Sequence, residues 1–262
     1  MTIPIFQADA FTQHVFGGNP AAVCPLEEWL PDGVMQKIAM ENNLAETAFI
    51  VKETEGFRIR WFTPSVEVAL CGHATLASAH IFFNHLGYEG NDISFNSKSG
   101  WLKVSKKQNG QLTLDFPADN AETVTDIPPA IAEGLKIEAT KVYKGKFDYM
   151  VVALNQSIIE NLHPNFKILA TVKSRGVLVT APGDEVDFVS RCFFPQSGID
   201  EDPVTGSAHT LLVPYWASLF KKHTMKAIQL SARKGYIDCV LSGDRVLMSG
   251  YAVTYLKGEI IL

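Results

Sequence analysis

One short pattern occurs twice in this 262-residue chain, in the same order and about half a chain apart. Arg60-Trp61-Phe62-Thr63-Pro64 is echoed by Arg191-Cys192-Phe193-Phe194-Pro195. An acidic loop follows each, then a helix opening: Gly72-His73-Ala74 in the first half, Gly206-Ser207-Ala208 in the second. A glycine next starts a hairpin in each half, at Gly100-Trp101-Leu102 and at Gly235-Tyr236-Ile237. The offset drifts only from 131 (Arg60 to Arg191) to 135 (Gly100 to Gly235). Strand, proline turn and glycine-led helix are common enough for one chance echo, but three in order point to an internal duplication. Such a chain folds as two like lobes, and its length gives each lobe ordinary size.

Periodicity fills in those lobes. Alternating or β-branched runs predict strands over 57–62, 102–105, 112–116, 149–154, 176–180, 187–194 and 236–241. Gln108-Asn109-Gly110 and Ser242-Gly243-Asp244 carry the residues that tolerate the positive φ of hairpin turns. Helices are expected over 33–43, 73–85 and 207–220. The second would bury Leu76, Ala79, Phe83 and Leu86. The third carries Leu211, Leu212, Tyr215, Trp216, Leu219 and Phe220 round so wide an arc that sheet should enclose it. The seam is placed after Asp115-Phe116-Pro117, giving lobes 1–117 and 118–262, with the last strand free to pack back on the first lobe.

Charge and cysteine usage remove several function classes. The net charge is −5 and the 23 Lys and Arg are scattered, so no basic stripe exists for nucleic acid. No apolar run approaches the ~20 residues of a membrane-spanning helix. The N-terminal Met1-Thr2-Ile3-Pro4-Ile5-Phe6-Gln7-Ala8-Asp9 lacks the basic start of a signal peptide. Four well-separated cysteines, Cys24, Cys71, Cys192 and Cys239, form no CxxC pair and suit reduced thiols in a cytoplasm.

The two glycine-led helix starts are the first chemical candidates. A helix start exposes unpaired N–H groups and a positive dipole end, which together favour an anion. Two such starts, one per lobe, would face each other across a cleft and hold a small carboxylate or an enolate. A single Gly72 or Gly206 would need no more reason than a tight turn; the symmetric pair favours a site. Glu46, in Asn43-Leu44-Ala45-Glu46-Thr47-Ala48, reads on its own residues first as a solvated loop carboxylate. The alternative is a carboxylate at a helix–strand junction, desolvated and poised to move protons. His73 stands where an imidazole can hold or relay a proton. Asp202-Pro203 looks like a helix N-cap followed by proline, and Ser207 is a second cap candidate. Cys71 reads equally as a thiol acidified by a helix start or as a small buried hydrophobe. No HExxH, EF-hand, P-loop or GxSxG pattern occurs, and His80 and His85 are spaced five apart, off a shared helix face. No metal or cofactor is expected. Gly17-Gly18-Asn19-Pro20 lacks the order of a dinucleotide-binding loop.

Together, Phe16-Gly17-Gly18-Asn19-Pro20-Ala21-Ala22-Val23, Met35-Gln36-Lys37-Ile38-Ala39, Asn43-Leu44-Ala45-Glu46-Thr47-Ala48-Phe49, Arg60-Trp61-Phe62-Thr63-Pro64, Cys71-Gly72-His73-Ala74-Thr75 and Glu201-Asp202-Pro203-Val204-Thr205-Gly206-Ser207-Ala208-His209 resemble the PhzF-type isomerases of phenazine biosynthesis. The six motifs run in order over nearly the whole chain. The resemblance implies an α+β, diaminopimelate epimerase-like fold: two pseudo-symmetric lobes, each a mostly antiparallel sheet or barrel round a central helix. It implies a cofactor-independent isomerase or epimerase that moves a proton on a small carboxylic acid in the cleft between the lobes. By motif position Glu46 is the general acid/base, His73 and Asp202 assist, and the backbone near Gly72, Gly206 and Ser207 binds the carboxylate. A homodimer is one expected assembly. The serine that sometimes precedes the family's glutamate is Ala45 here. The distant epimerases use two cysteines, one at each helix start; here the positions hold Cys71 and Thr205, so two-thiol racemisation is unavailable. The rival expectation is a member of the same fold that binds a small acid or a protein without turnover.

Overall fold

The computed structural model describes residues 1–139 and 141–262. The chain divides into two compact units, Met1–Asp115 with Ser249–Leu262, and Phe116–Met248. The second unit thus stops short of the 118–262 expected, because the last strand joins the first unit.

In chain order the elements begin β1 (Thr2–Ala10), β2 (Asn19–Leu26), α1 (Asp32–Asn42), β3 (Glu46–Lys52), β4 (Phe57–Phe62), β5 (Glu67–Val68), α2 (Gly72–His85), β6 (Asp92–Ser97), β7 (Gly100–Lys106) and β8 (Leu112–Pro117). Then come β9 (Glu122–Thr123), α3 (Pro129–Leu135), β10 (Val142–Lys144), β11 (Asp148–Val152), α4 (Gln156–Glu160), α5 (Phe166–Leu169), β12 (Gly176–Pro182) and β13 (Phe188–Phe194). A 3₁₀ turn (Pro195–Ser197) leads to β14 (Ile199–Asp202), α6 (Gly206–Phe220), β15 (Thr224–Gln229), β16 (Gly235–Ser242), β17 (Arg245–Gly250) and β18 (Ala252–Ile261).

The first unit is built outward from β1, which pairs antiparallel with β18 on one edge and β2 on the other. β2 runs parallel to β3, β3 antiparallel to β4, and β4 antiparallel to β5 and parallel to β6, which turns back into β7. Parallel neighbours need a crossover, and the two helices supply them: α1 between β2 and β3, α2 between β4 and β6. In the second unit β11 is parallel to β12, β12 antiparallel to β13, and β13 antiparallel to β14 and parallel to β15, which turns back into β16. The pairing repeats that of β2 to β7 strand for strand, with α6 in the place of α2. Even one side-chain contact recurs: Arg60 grips Glu67 through two hydrogen bonds of 2.8 and 2.9 Å, and Arg191 grips Glu201 through two of 2.7 Å.

The helices differ in how much of their surface they bury. α1 lays Met35, Ile38 and Ala39 on Cys24, Phe49 and Phe62 and leaves its other side in solvent. It ends where Asn43 turns left-handed at φ 48° and its N–H returns to the Ala39 carbonyl at 3.2 Å. α2 packs against β1, β2, β3, β7 and β18, and every residue from Gly72 to Ala79 is buried. Small side chains permit that close approach, and the buried hydroxyls of Thr75 and Ser78 bond back to the Cys71 and Ala74 carbonyls. The stripe expected from 3.6-residue spacing is therefore incomplete. Leu76 and Ala79 are interior, as are Ile81 and Phe82, whereas Leu86 lies past the helix end and is exposed. On α6, Leu211, Leu212 and Trp216 are buried, but Leu219 and Phe220 near its end are exposed. A second core joins α3, α4 and α5 to the sheet through Ile131, Leu135, Ile159, Leu169, Val151, Val177 and Val179. Among the described residues no helix is long and apolar enough to cross a membrane.

Candidate active site

Glu46 opens β3 and stands opposite Ala21 in the parallel register with β2. The left-handed Asn43 reverses the chain so sharply that Leu44 and Ala45 suffice to enter the sheet. Glu46 is consequently not a solvated loop residue. Only 9% of its surface is exposed.

α2 brings the partners. His73 is its second residue, 4% exposed, and its Nε2 lies 3.0 Å from Glu46 Oε2. That approach is off the line of a good hydrogen bond, so this buried carboxylate oxygen has a close charge partner but no aligned donor. On the far side of the ring, Asn19 Nδ2 lies 3.0 Å from Nδ1. Cys71 Sγ lies 3.6 Å from Nδ1 and 4.0 Å from Nε2. Asn19 reaches this position because Gly18 precedes it at φ +59°, where a Cβ would stand 2.0 Å from the Ala10 carbonyl oxygen; only glycine fits that turn.

The charges in this pocket are interdependent. Burial works against an imidazolium at His73, but negative charge on an ionised Cys71 and on Glu46 works for it and prevails, holding the ring well above its ordinary value. Burial pushes the Cys71 thiol up to about 11. At neutral pH the thiol is thus protonated. The acidified-thiol reading of Cys71 is overturned, since desolvation outweighs the helix start.

The second unit places its site candidates differently from the cap reading. α6 begins at Gly206, three residues beyond Pro203, and its N-cap is Thr205, without a side-chain capping bond. Asp202 ends β14, and its Oδ2 accepts from Thr205 Oγ1 at 2.6 Å. Gln229 explains the shift, because its Oε1 accepts from the Thr205 N–H at 2.8 Å while its Nε2 donates to the Asp202 carbonyl at 2.6 Å. Gly206 and Ser207 are the first two helical residues, neither of them the cap. Gly235, which starts β16, is required by packing: a Cβ there would meet Val204 Cγ2 at 2.2 Å. Elsewhere in the first unit, His80 and His85 both reach Thr254 Oγ1, at 2.9 and 2.7 Å, which their spacing on a helix did not foretell.

Sequence reasoning did not assemble the group: Asn19 lay in a family motif without a site role of its own, and Cys71, weighed as a thiol by itself, was not connected with Glu46 because 25 residues separate them. Ligand-type atoms of Glu46, Cys71 and His73 all lie within 4.8 Å of one another, so the group has the composition of a metal-binding set as well as of a proton-transfer site.

Comparison with known proteins follows the same lines. A family model described as phenazine biosynthesis-like protein, PhzC-PhzF, matches residues 8–258. An uncharacterized isomerase from Pseudomonas aeruginosa is 47% identical over 262 residues, covering 100% of both chains. The crystal structure of a PhzF-family phenazine biosynthesis protein from Enterococcus faecalis matches with a TM-score of 0.96 at 45% identity, over 100% of each chain. A hydroxyproline epimerase from Agrobacterium vitis shares the fold alone, with a TM-score of 0.63 at 7% identity over 99% of this chain and 92% of that one. The architecture is the α+β, epimerase-like one that the motifs implied.

Proposed function

The chain belongs to the phenazine biosynthesis-like PhzC-PhzF family, and from that premise we propose that it is an isomerase or epimerase that relocates a proton on a small carboxylic acid. The observation that carries this reading is the buried Glu46 carboxylate, 3.0 Å from His73 Nε2 and without an aligned donor on that oxygen. Such an oxygen is available to take a proton from carbon. Glu46 removes the hydrogen beside a carbonyl or conjugated acid, and the bond's electron pair moves into that carbonyl system. The enolate-like intermediate is stabilised by N–H groups at the start of α2, which no side chain caps. The proton then returns from Glu46 to a different carbon or to the opposite face. His73 Nε2, 3.0 Å from the carboxylate, orients it for the transfer, and Asn19 holds the ring in place. Cys71, protonated at neutral pH, is not the base. For Asp202, Gly206 and Ser207 the proposal is substrate orientation and carboxylate binding, as the resemblance implies.

The test is exchange of substrate hydrogen with deuterated water, followed by proton NMR over a panel of small mono- and dicarboxylic acids. General acid/base groups contribute about 10²–10⁴-fold, so Glu46→Gln should slow exchange by that factor. Undiminished exchange in the variant would falsify the assignment, and a bound acid that never exchanges in the wild type would favour a binding protein.

A further inference from the structure

We infer that Gln229, which belongs to none of the sequence motifs, is a positioning residue: it sets the place of the Asp202 carboxylate through the Thr205 hydroxyl. Gln229 closes β15 and is fully buried. The Thr205 N–H can only donate, so the Gln229 Oε1 that accepts from it at 2.8 Å fixes which way round the amide lies. Nε2 is thereby aimed at the Asp202 carbonyl, at 2.6 Å, and at Thr205 Oγ1, at 3.3 Å. With a donor already on that oxygen, the hydroxyl hydrogen goes to Asp202 Oδ2 at 2.6 Å. One amide thus orders a series of bonds that ends on a carboxylate. The inference rests on the proposed role of that carboxylate in orienting substrate.

Two observations separate this role from that of a structural clamp. First, the repeated strand pairing matches positions between the units. Trp61 opposite Val68 corresponds to Cys192 opposite Asp202, so Asp202 takes the place of Val68. Ser97 closes β6 as Gln229 closes β15, each two residues beyond a matched pair, Phe57 with Phe95 and Phe188 with Ala227. The Ser97 hydroxyl donates locally, to the Gly100 carbonyl at 2.8 Å. The same strands and crossover helix therefore form with Val68 and Ser97 in these places, and the carboxylate and the amide enter together in the second unit. Second, Thr205 is the N-cap of α6, where a threonine hydroxyl ordinarily accepts from the second or third helical N–H. Here it makes no capping bond. A stabilising local bond is given up to hold a carboxylate.

Gln229→Met keeps the volume and removes both ends of the amide. Its crystal structure should show Thr205 Oγ1 turned away from Asp202 to the N–H of Ser207 or Ala208. A hydroxyl still on Asp202 Oδ2 would overturn the inference, and this measurement needs no turnover. In deuterium exchange, with an acid that the wild type exchanges, Gln229→Met and Thr205→Val should each lower kcat/KM at least tenfold. In an Asp202→Ala background Gln229→Met should lower it less than twofold further, because residues of one network do not add. Its fall in urea midpoint should recur in both backgrounds. Equal losses of kcat/KM in the two backgrounds would mean that the amide serves the fold alone, against the inference. Gln229→Glu, which keeps the acceptor and loses the donor, gives the same comparisons should the methionine variant not fold. A wild type that exchanges none of the acids would count against the isomerase reading, and the place of the Thr205 hydroxyl in the variant would then decide for or against Gln229.

Discussion

His209 is a buried histidine outside the proposed chemistry, and it couples stability to pH. Its Nδ1 lies 2.9 Å from the Thr205 carbonyl of its own helix, its Nε2 has no partner, and the Phe188 ring is 6.0 Å away. Burial holds it down at about 4, with the Thr205 bond opposing weakly. An unfolded histidine takes its proton near 6.5, so the unfolded state gains protons first as the pH falls. This contribution is therefore fully present above pH 6.5 and lost progressively toward pH 4. Between pH 7 and pH 5 it is worth about 2 kcal/mol. Urea unfolding at both values should show wild type losing roughly that much more stability than His209→Leu; equal losses would mean that the histidine is hydrated. His73 has the opposite sign, since its charged form is favoured in the fold and its contribution fades only as the pH rises.

At the scale of elements, the repeated arginine–glutamate grip is what frames each helix start. Arg60 ties β4 to β5, holds Glu67 down at about 2, and also meets Asp32 of α1 at 2.8 Å. Arg191 is the more enclosed copy. Besides Glu201 it donates to the carbonyls of Ile159 and Leu162, at 3.2 and 2.9 Å, so one guanidinium joins β13, β14 and the end of α4. A lysine cannot reproduce a planar fork with four bonds. Arg191→Lys should cost about 1–3 kcal/mol, the range for hydrogen bonds involving a charged group, read as a lowered urea midpoint. Arg60→Lys, with its outer partner Asp32 in solvent, should cost less. A reversed order would show that the backbone carbonyls behind Arg191 contribute little.

For the whole molecule, the governing fact is that the first unit is discontinuous in sequence. β1 and β18 pair at nine positions, from Thr2 opposite Ile261 to Ala10 opposite Ala252, with one irregularity between Gln7 and Ala8. Each net hydrogen bond is worth about 0.5–1.5 kcal/mol, and a domain's entire margin is about 5–15 kcal/mol. Deleting residues 252–262 should therefore remove much of that margin and bare the edge of β1, producing aggregation and no cooperative thermal transition. Retention of the wild-type midpoint by the truncated chain would show that β1 is anchored by β2 alone.

The duplication and the main helices were legible in the amino-acid order, because they rest on short-range signals. Glycine-led starts, proline turns and the left-handed Asn43 act within a few residues, and their recurrence at a fixed offset survives any later packing. β1, β2 and β18 were not read, since a strand buried on both faces or ending in solvent shows no clean alternation. The composition of the site was legible only in part. Motif resemblance named Glu46 and His73, but the sequence alone did not join them to Asn19 and Cys71. That grouping is made by the parallel register of β2 with β3 and by the passage of α2 against both strands. The α6 cap shows the same division: Asp202-Pro203 has the local form of a cap, yet Gln229, 24 residues beyond Thr205, holds that residue's N–H and moves the helix start. Local preferences choose elements, whereas distances between side chains remote in sequence are set only when those elements exclude water from a common interior.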